Sequence, residues 1–112
     1  MAFDELLADR IRLILKEKRV SFNEKKMMGG LCYLVNDKML AGIVKDKLMA
    51  RIGTEKYEDA LTKNGCSEMD FTGKALKGYV FIDPKAIEMD EDLAYWIQLC
   101  LDFNPIAKAS KK

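Results

Sequence analysis

Apolar residues at the start of the chain recur three and four positions apart. Leu6, Leu7, Ile11, Ile14 and Leu15 form one stripe, flanked by Phe3 and Leu13. Acidic Asp4 and Glu5 stand at one end and Lys16, Lys18 and Arg19 at the other, each matching the helix dipole. The pattern predicts an amphipathic helix from Asp4 to about Lys18 with that stripe in the core.

The period then changes. Val20 to Met28 reads as extended, and Gly29-Gly30 as a sharp turn or bulge. Leu31–Val35 and Met39–Val44 are strands joined by Asn36-Asp37, two residues that tolerate positive φ. Both strands are apolar on both faces, which places them centrally in a sheet with helices on at least one side. After the turn Lys45-Asp46-Lys47, Leu48–Ile52 is a third strand.

Thr54 as N-cap and Asn64-Gly65 as stop bound a short helix over about Glu55–Lys63. Met69–Thr72 reads as a short extended piece, Gly73 to Gly78 as a basic loop, and Tyr79–Ile82 as a strand. A last helix runs from Asp90 to Phe103, with Asp90, Glu91 and Asp92 at its positive end and Asn104-Pro105 ending it. The order is one helix, three or four strands, a helix, one or two strands, a helix. Hairpins without βαβ alternation predict an α+β two-layer sandwich with a mainly antiparallel sheet.

At 112 residues, without repeat or linker, the chain is expected to be one domain over 1–112, with 108–112 a flexible tail. No apolar run approaches a membrane span, and the acidic start does not read as a secretory signal. Cys32, Cys66 and Cys100 are odd in number and far apart, which suits buried free thiols and a cytoplasmic location. The net charge of +1 lacks the basic excess expected of a protein held by nucleic-acid phosphates, so a nucleic-acid partner is not expected and direct DNA binding stands as a second, weaker alternative. Local basic clusters at Lys16–Lys26 and at Lys108, Lys111 and Lys112 read as a solvated helix end and a terminus.

The chain has no histidine, which removes Ser-His-Asp and Cys-His arrangements, imidazole metal sites and the commonest general base. Glu88, Asp90, Glu91 and Asp92 crowd a helix start without the spacing of a calcium loop. Gly29-Gly30 precedes a strand and so does not form a phosphate loop. Neither cofactor nor metal is expected, and the chain reads as a non-enzyme.

Two features remain as candidate sites. Arg51 interrupts an apolar strand on the same face as Met49, opposite Leu48, Ala50 and Ile52. Its guanidinium needs a carboxylate or carbonyl partner, with Asp70 a candidate. It is either an internal ion pair or edge charge, or, with Asp70 and Tyr57, part of a small-molecule or weakly catalytic pocket. The final helix is apolar nearly all round: Trp96, Ile97, Cys100 and Leu101 form a core stripe and Tyr95, Leu99 and Phe103 a second one. The second stripe is either a partner or dimer surface or lies in a groove of its own fold.

The order of motifs resembles the N-terminal domain of the TfoX/Sxy family of bacterial competence regulators. The likeness is clearest in Lys25-Lys26-Met27-Met28-Gly29-Gly30-Leu31. It continues through Val35-Asn36, Leu48-Met49-Ala50-Arg51-Ile52-Gly53, Met69-Asp70-Phe71-Thr72-Gly73, Lys77-Gly78-Tyr79-Val80, Asp83-Pro84 and Trp96. Met28 stands where the family usually has phenylalanine, and Asp37 where a turn glycine is common. Longer members carry a second, C-terminal domain, and this sequence ends just after its last predicted helix. The resemblance implies an α/β two-layer sandwich, no catalytic residues, and a role like that of coactivators at promoters that also need the cyclic-AMP receptor protein. Together with the residue pattern, this leads to the expectation of a protein partner, from the transcription machinery or a second copy of the chain, met through Tyr95, Leu99, Phe103 and the Lys25-Lys26 end of the sheet.

Overall fold

A computed structural model describes residues 4–27, 30–70 and 75–107, and only the backbone of residues 27, 69, 70, 75 and 76. The first helix, α1, spans Glu5–Glu17, and the Asp4 carboxylate accepts hydrogen bonds from the Leu6 and Leu7 amides at 3.0 and 3.2 Å. Four strands follow: β1 (Asn23–Met27), β2 (Gly30–Val35), β3 (Lys38–Val44) and β4 (Lys47–Arg51). Then come α2 (Thr54–Leu61), β5 (Cys66–Asp70), β6 (Ala75–Ile82), a 3-10 turn at Pro84–Ile87, α3 (Asp90–Phe103) and a second 3-10 turn at Asn104–Ile106. The fold is α+β, as the hairpin-rich pattern predicts.

The six strands form one antiparallel sheet in the order β1-β2-β3-β4-β6-β5. The two strands apolar on both faces, β2 and β3, are inner strands. Asn36 and Asp37 take φ of 57° and 63°, the left-handed pair that matches the twist of a two-residue hairpin. Strand alternation sorts side chains between two faces. Leu31, Ile43, Leu48 and Ile82 form one row and Tyr33, Ala41, Ala50 and Val80 the next; all are buried beneath the three helices.

On the other face a row crosses the whole sheet: Lys25, Cys32, Gly42, Met49, Phe81 and Ser67. Cys32 and Met49 form a small second cluster there with Met39, Tyr79 and Phe81, and no described helix belongs to it. Gly42 lets the Met49 side chain lie flat: a Cβ at Gly42 would stand 2.7 Å from Met49 Cε.

Specific polar contacts fix the helices on the sheet. The Tyr33 hydroxyl donates to the Ala8 carbonyl at 3.0 Å inside the core. Arg12 grips Glu24 of β1 with two guanidinium nitrogens, one at 2.9 Å, and that hydrogen bonding holds the guanidinium's pKa well above its ordinary value. At the far end Asn104 is buried; its Nδ2 donates to the Val35 carbonyl and its Oδ1 accepts from Asn36, both at 3.1 Å.

Several expectations need correction. Leu6 is 71% exposed, so the covered arc of α1 is narrower than the apolar stripe, and the core stripe is Leu7, Ala8, Ile11, Ile14 and Leu15. Thr54 is the first helical residue of α2, and Gly53, at φ 88°, occupies the cap position. The basic loop predicted at Gly73–Gly78 overlaps β6, which begins at Ala75. There the Gly78 carbonyl accepts from the Ile52 and Gly53 amides at 2.8 and 3.1 Å, a distant pairing invisible to local pattern. Phe3, Met28-Gly29, Phe71–Gly73 and the tail at 108–112 lie outside the described residues.

Candidate functional site

α3 buries Leu93, Trp96, Ile97 and Cys100 against the sheet, with Leu101 partly buried beside them. Its second stripe is divided. Tyr95 is 43% exposed, with its ring edge-on to Trp96 and the Lys63 ammonium 5.2 Å from its centroid. It lines a shallow hollow with Lys63, Asn64 and Asp92. Leu99 and Phe103 are half-buried one and two turns further on and line a different recess.

That recess is a groove of about 300 Å³ between the end of α3 and the start of α2. Leu99, Phe103 and Ile52 supply its apolar lining, Glu55, Lys56 and Asp102 stand around it, and Ile106 completes it. Ile106 is 73% exposed, as Leu6 of α1 is to a similar degree. It is placed there by the 3-10 turn that buried Asn104 anchors, where Lys38 Nζ also donates to the carbonyls of Asn104 and Pro105 at 3.1 and 3.2 Å. The sequence reading stopped at Asn104-Pro105 and missed Ile106. The available signal was an apolar residue directly after a proline stop.

The lysine pair is split by strand alternation. Lys25 lies in the row of Cys32 and Met49 on the helix-free face, whereas Lys26 pairs with Leu31 on the helix side; both are exposed.

Arg51 is half-buried on the same sheet face as Met49, opposite Tyr79 in the neighbouring strand, where the end of α3 reaches that face. Its Nη1 donates to the Met39 carbonyl at 3.4 Å, and its guanidinium lies 5.5 Å from the Tyr79 ring centroid and 5.8 Å from that of Phe103. A cleft of about 140 Å³ beside it is lined by Lys77, Tyr79, Phe103 and the Gly53-Thr54 segment. Tyr57 does not join it, because this side chain packs in the helix-side core on the other face of the sheet. The Tyr57 hydroxyl is buried with no hydrogen bond of good geometry among the described residues, and burial first, then the nearby Glu68 carboxylate, raises its pKa. The side chain of Asp70 lies outside the described residues, so the expected Arg51–Asp70 pair does too.

The acidic start of α3 is tied to α1: Arg10 meets the Asp90 carboxylate at 3.1 Å and donates to the Ile87 and Glu88 carbonyls at 2.7 and 3.1 Å. No group of three potential metal ligands exists among the described residues. Cys32 and Cys100 are buried free thiols and Cys66 is half-buried. Burial pushes Cys66 up to about 11 and Cys100 up to about 12, far from the thiolate a nucleophile requires. No described helix is long and apolar enough to cross a membrane.

These features define, among the described residues, an α+β domain of three helices and one six-stranded antiparallel sheet. The family model described as TfoX N-terminal domain matches residues 15–104. The chain therefore belongs to the TfoX N-terminal domain family, a competence-regulator-like group that is not a known enzyme family. Comparison with curated proteins and with solved structures gives no match.

Proposed function

We propose that this chain is a non-enzymatic regulatory domain of the cytoplasm that acts by holding a protein of the transcription machinery. The observation that carries the reading is the groove of Leu99, Phe103 and Ile106. An exposed aliphatic residue beside two half-buried apolar ones suits an apolar side chain inserted by a partner, with Glu55, Lys56 and Asp102 meeting polar groups at the rim. Membership of a competence-regulator-like family supports a regulatory role over a metabolic one.

Ile106→Asp is the variant that tests it. The side chain is exposed, so the change leaves folding intact while placing a charge in the groove. Leu99→Asp is a poorer choice because Leu99 packs against the core. The reading expects the wild-type chain, immobilised in extract of its native cell, to retain a transcription protein that Ile106→Asp loses. Equal retention by both contradicts it. A fall in mass on light scattering with Ile106→Asp would instead assign the groove to a second copy of the chain.

A further inference from the structure

We propose that the outward face of α1 is a self-complementary docking surface on which a second copy of the chain packs antiparallel. α1 turns Leu7, Ala8, Ile11, Ile14 and Leu15 toward the sheet. At about 100° per residue its opposite side carries Leu6, Asp9, Leu13 and Lys16, all of them exposed. Single exposed leucines are common, but Leu6 and Leu13 stand one heptad apart on one stripe, the spacing of a helix–helix seam. The exposed Met89 borders the same stripe, because Arg10 of α1 donates to the Glu88 carbonyl and the Asp90 carboxylate on either side of it.

Charge selects the occupant. Glu5 and Asp9 make the first half of this helix surface acidic, and Arg12 and Lys16 make the second half basic. Glu5 and Lys16 are equally far from the Arg10–Ile11 peptide, and so are Asp9 and Arg12. A second α1 turned end for end about that point sets each of these carboxylates opposite a cation and brings Leu6 within one turn of the other copy's Leu13. Arg12 already holds Asp9 of its own chain at 2.7 Å, so the two opposed pairs form a ring of alternating charge. Glu17 then faces Asp4 at the open ends of the pair, where water screens them. A parallel second copy would set like charges together, and an anionic ligand, whether nucleic acid or lipid surface, would meet Glu5, Asp9 and Glu17. This surface shares no residue with the α3 groove, so either reading can fail alone.

The test is sedimentation equilibrium of the full chain from about 1 to about 200 μM. The expected result is a monomer–dimer equilibrium, weak because the patch is small, that weakens further between about 50 and 500 mM salt. Leu6→Gln with Leu13→Gln, which keeps good helix formers, should weaken dimerisation about tenfold or more. Glu5→Lys or Lys16→Glu alone should weaken it about threefold or more, and the two together should return it to within about twofold of the wild type. Both charge changes oppose the helix dipole, so restoration in the double variant cannot come from α1 itself. All four substituted side chains are exposed, and each variant should keep the circular dichroism of the wild type. A photoreactive residue at position 13 should join two copies of the chain and no other protein. A chain that stays monomeric throughout, a dimer unchanged in Leu6→Gln with Leu13→Gln, a dimer lost in Ile106→Asp, a double charge variant no tighter than the single ones, or a crosslink from position 13 to a different protein would each overturn the proposal.

Discussion

The Phe103 ring lies directly over Gly53: a Cβ added to Gly53 would collide with ring atoms Cδ1 and Cε1. This contact joins the end of α3 to the start of α2 and forms one wall of the groove. Gly53 also holds φ 88°, where a side chain is strained. Gly53→Ala should therefore cost about 2 kcal/mol or more in urea unfolding, from strain and displacement of the ring together. A loss below about 0.5 kcal/mol would show that Phe103 is not seated there.

Asn104 is the buried polar residue on which the second 3-10 turn depends. Replacing it with Leu leaves the Val35 carbonyl without its donor and should cost about 1–3 kcal/mol. The urea midpoint should fall with an unchanged slope. Because the same turn presents Ile106, partner binding should weaken in Asn104→Leu even at temperatures where the variant is fully folded.

Alkaline pH should destabilise the fold. Cys100 and Cys66 have folded-state pKa values pushed up to about 12 and about 11, from an ordinary 9.0, by burial. Their contribution to stability is fully present below pH 9 and is lost as the pH rises toward the folded values. Unfolding free energy should fall between about pH 9 and 11. Cys66→Ala, at the half-buried position, should flatten that decline with little change at pH 7. A decline of the same slope in this variant would mean the thiol stays accessible to solvent in the fold.

The parts legible in the sequence were those set by local pattern. The dipole-matched ends of α1, the positive-φ pair Asn36-Asp37 and the alternation that separates Arg51 from Ala50 each depend on near neighbours. The parts that were not legible depend on distant ones. β6 extends through Lys77-Gly78, which look like a loop until the Gly78 carbonyl is paired with Ile52 and Gly53. β1 was legible only as part of the extended stretch Val20 to Met28, because residues 23–26 are exposed on an edge strand and give no apolar alternation to mark its bounds.

The candidate site followed the same division. Spacing alone put Leu99 and Phe103 on one stripe of α3, but the groove also needs α2, and Ile106 reaches it only through the Asn104 anchor. The pocket expected around Arg51 and Tyr57 does not form, because the sheet separates them onto opposite faces.

The most direct measurement is site-specific photo-crosslinking from the groove. A photoreactive residue at Ile106 is compared with one at Leu13, which is 58% exposed on α1, both in the native cell. The account predicts a discrete adduct with a transcription protein from position 106 and none from position 13, lost when Phe103→Ala removes the groove wall. The same adduct from both positions, or none from position 106, would contradict it.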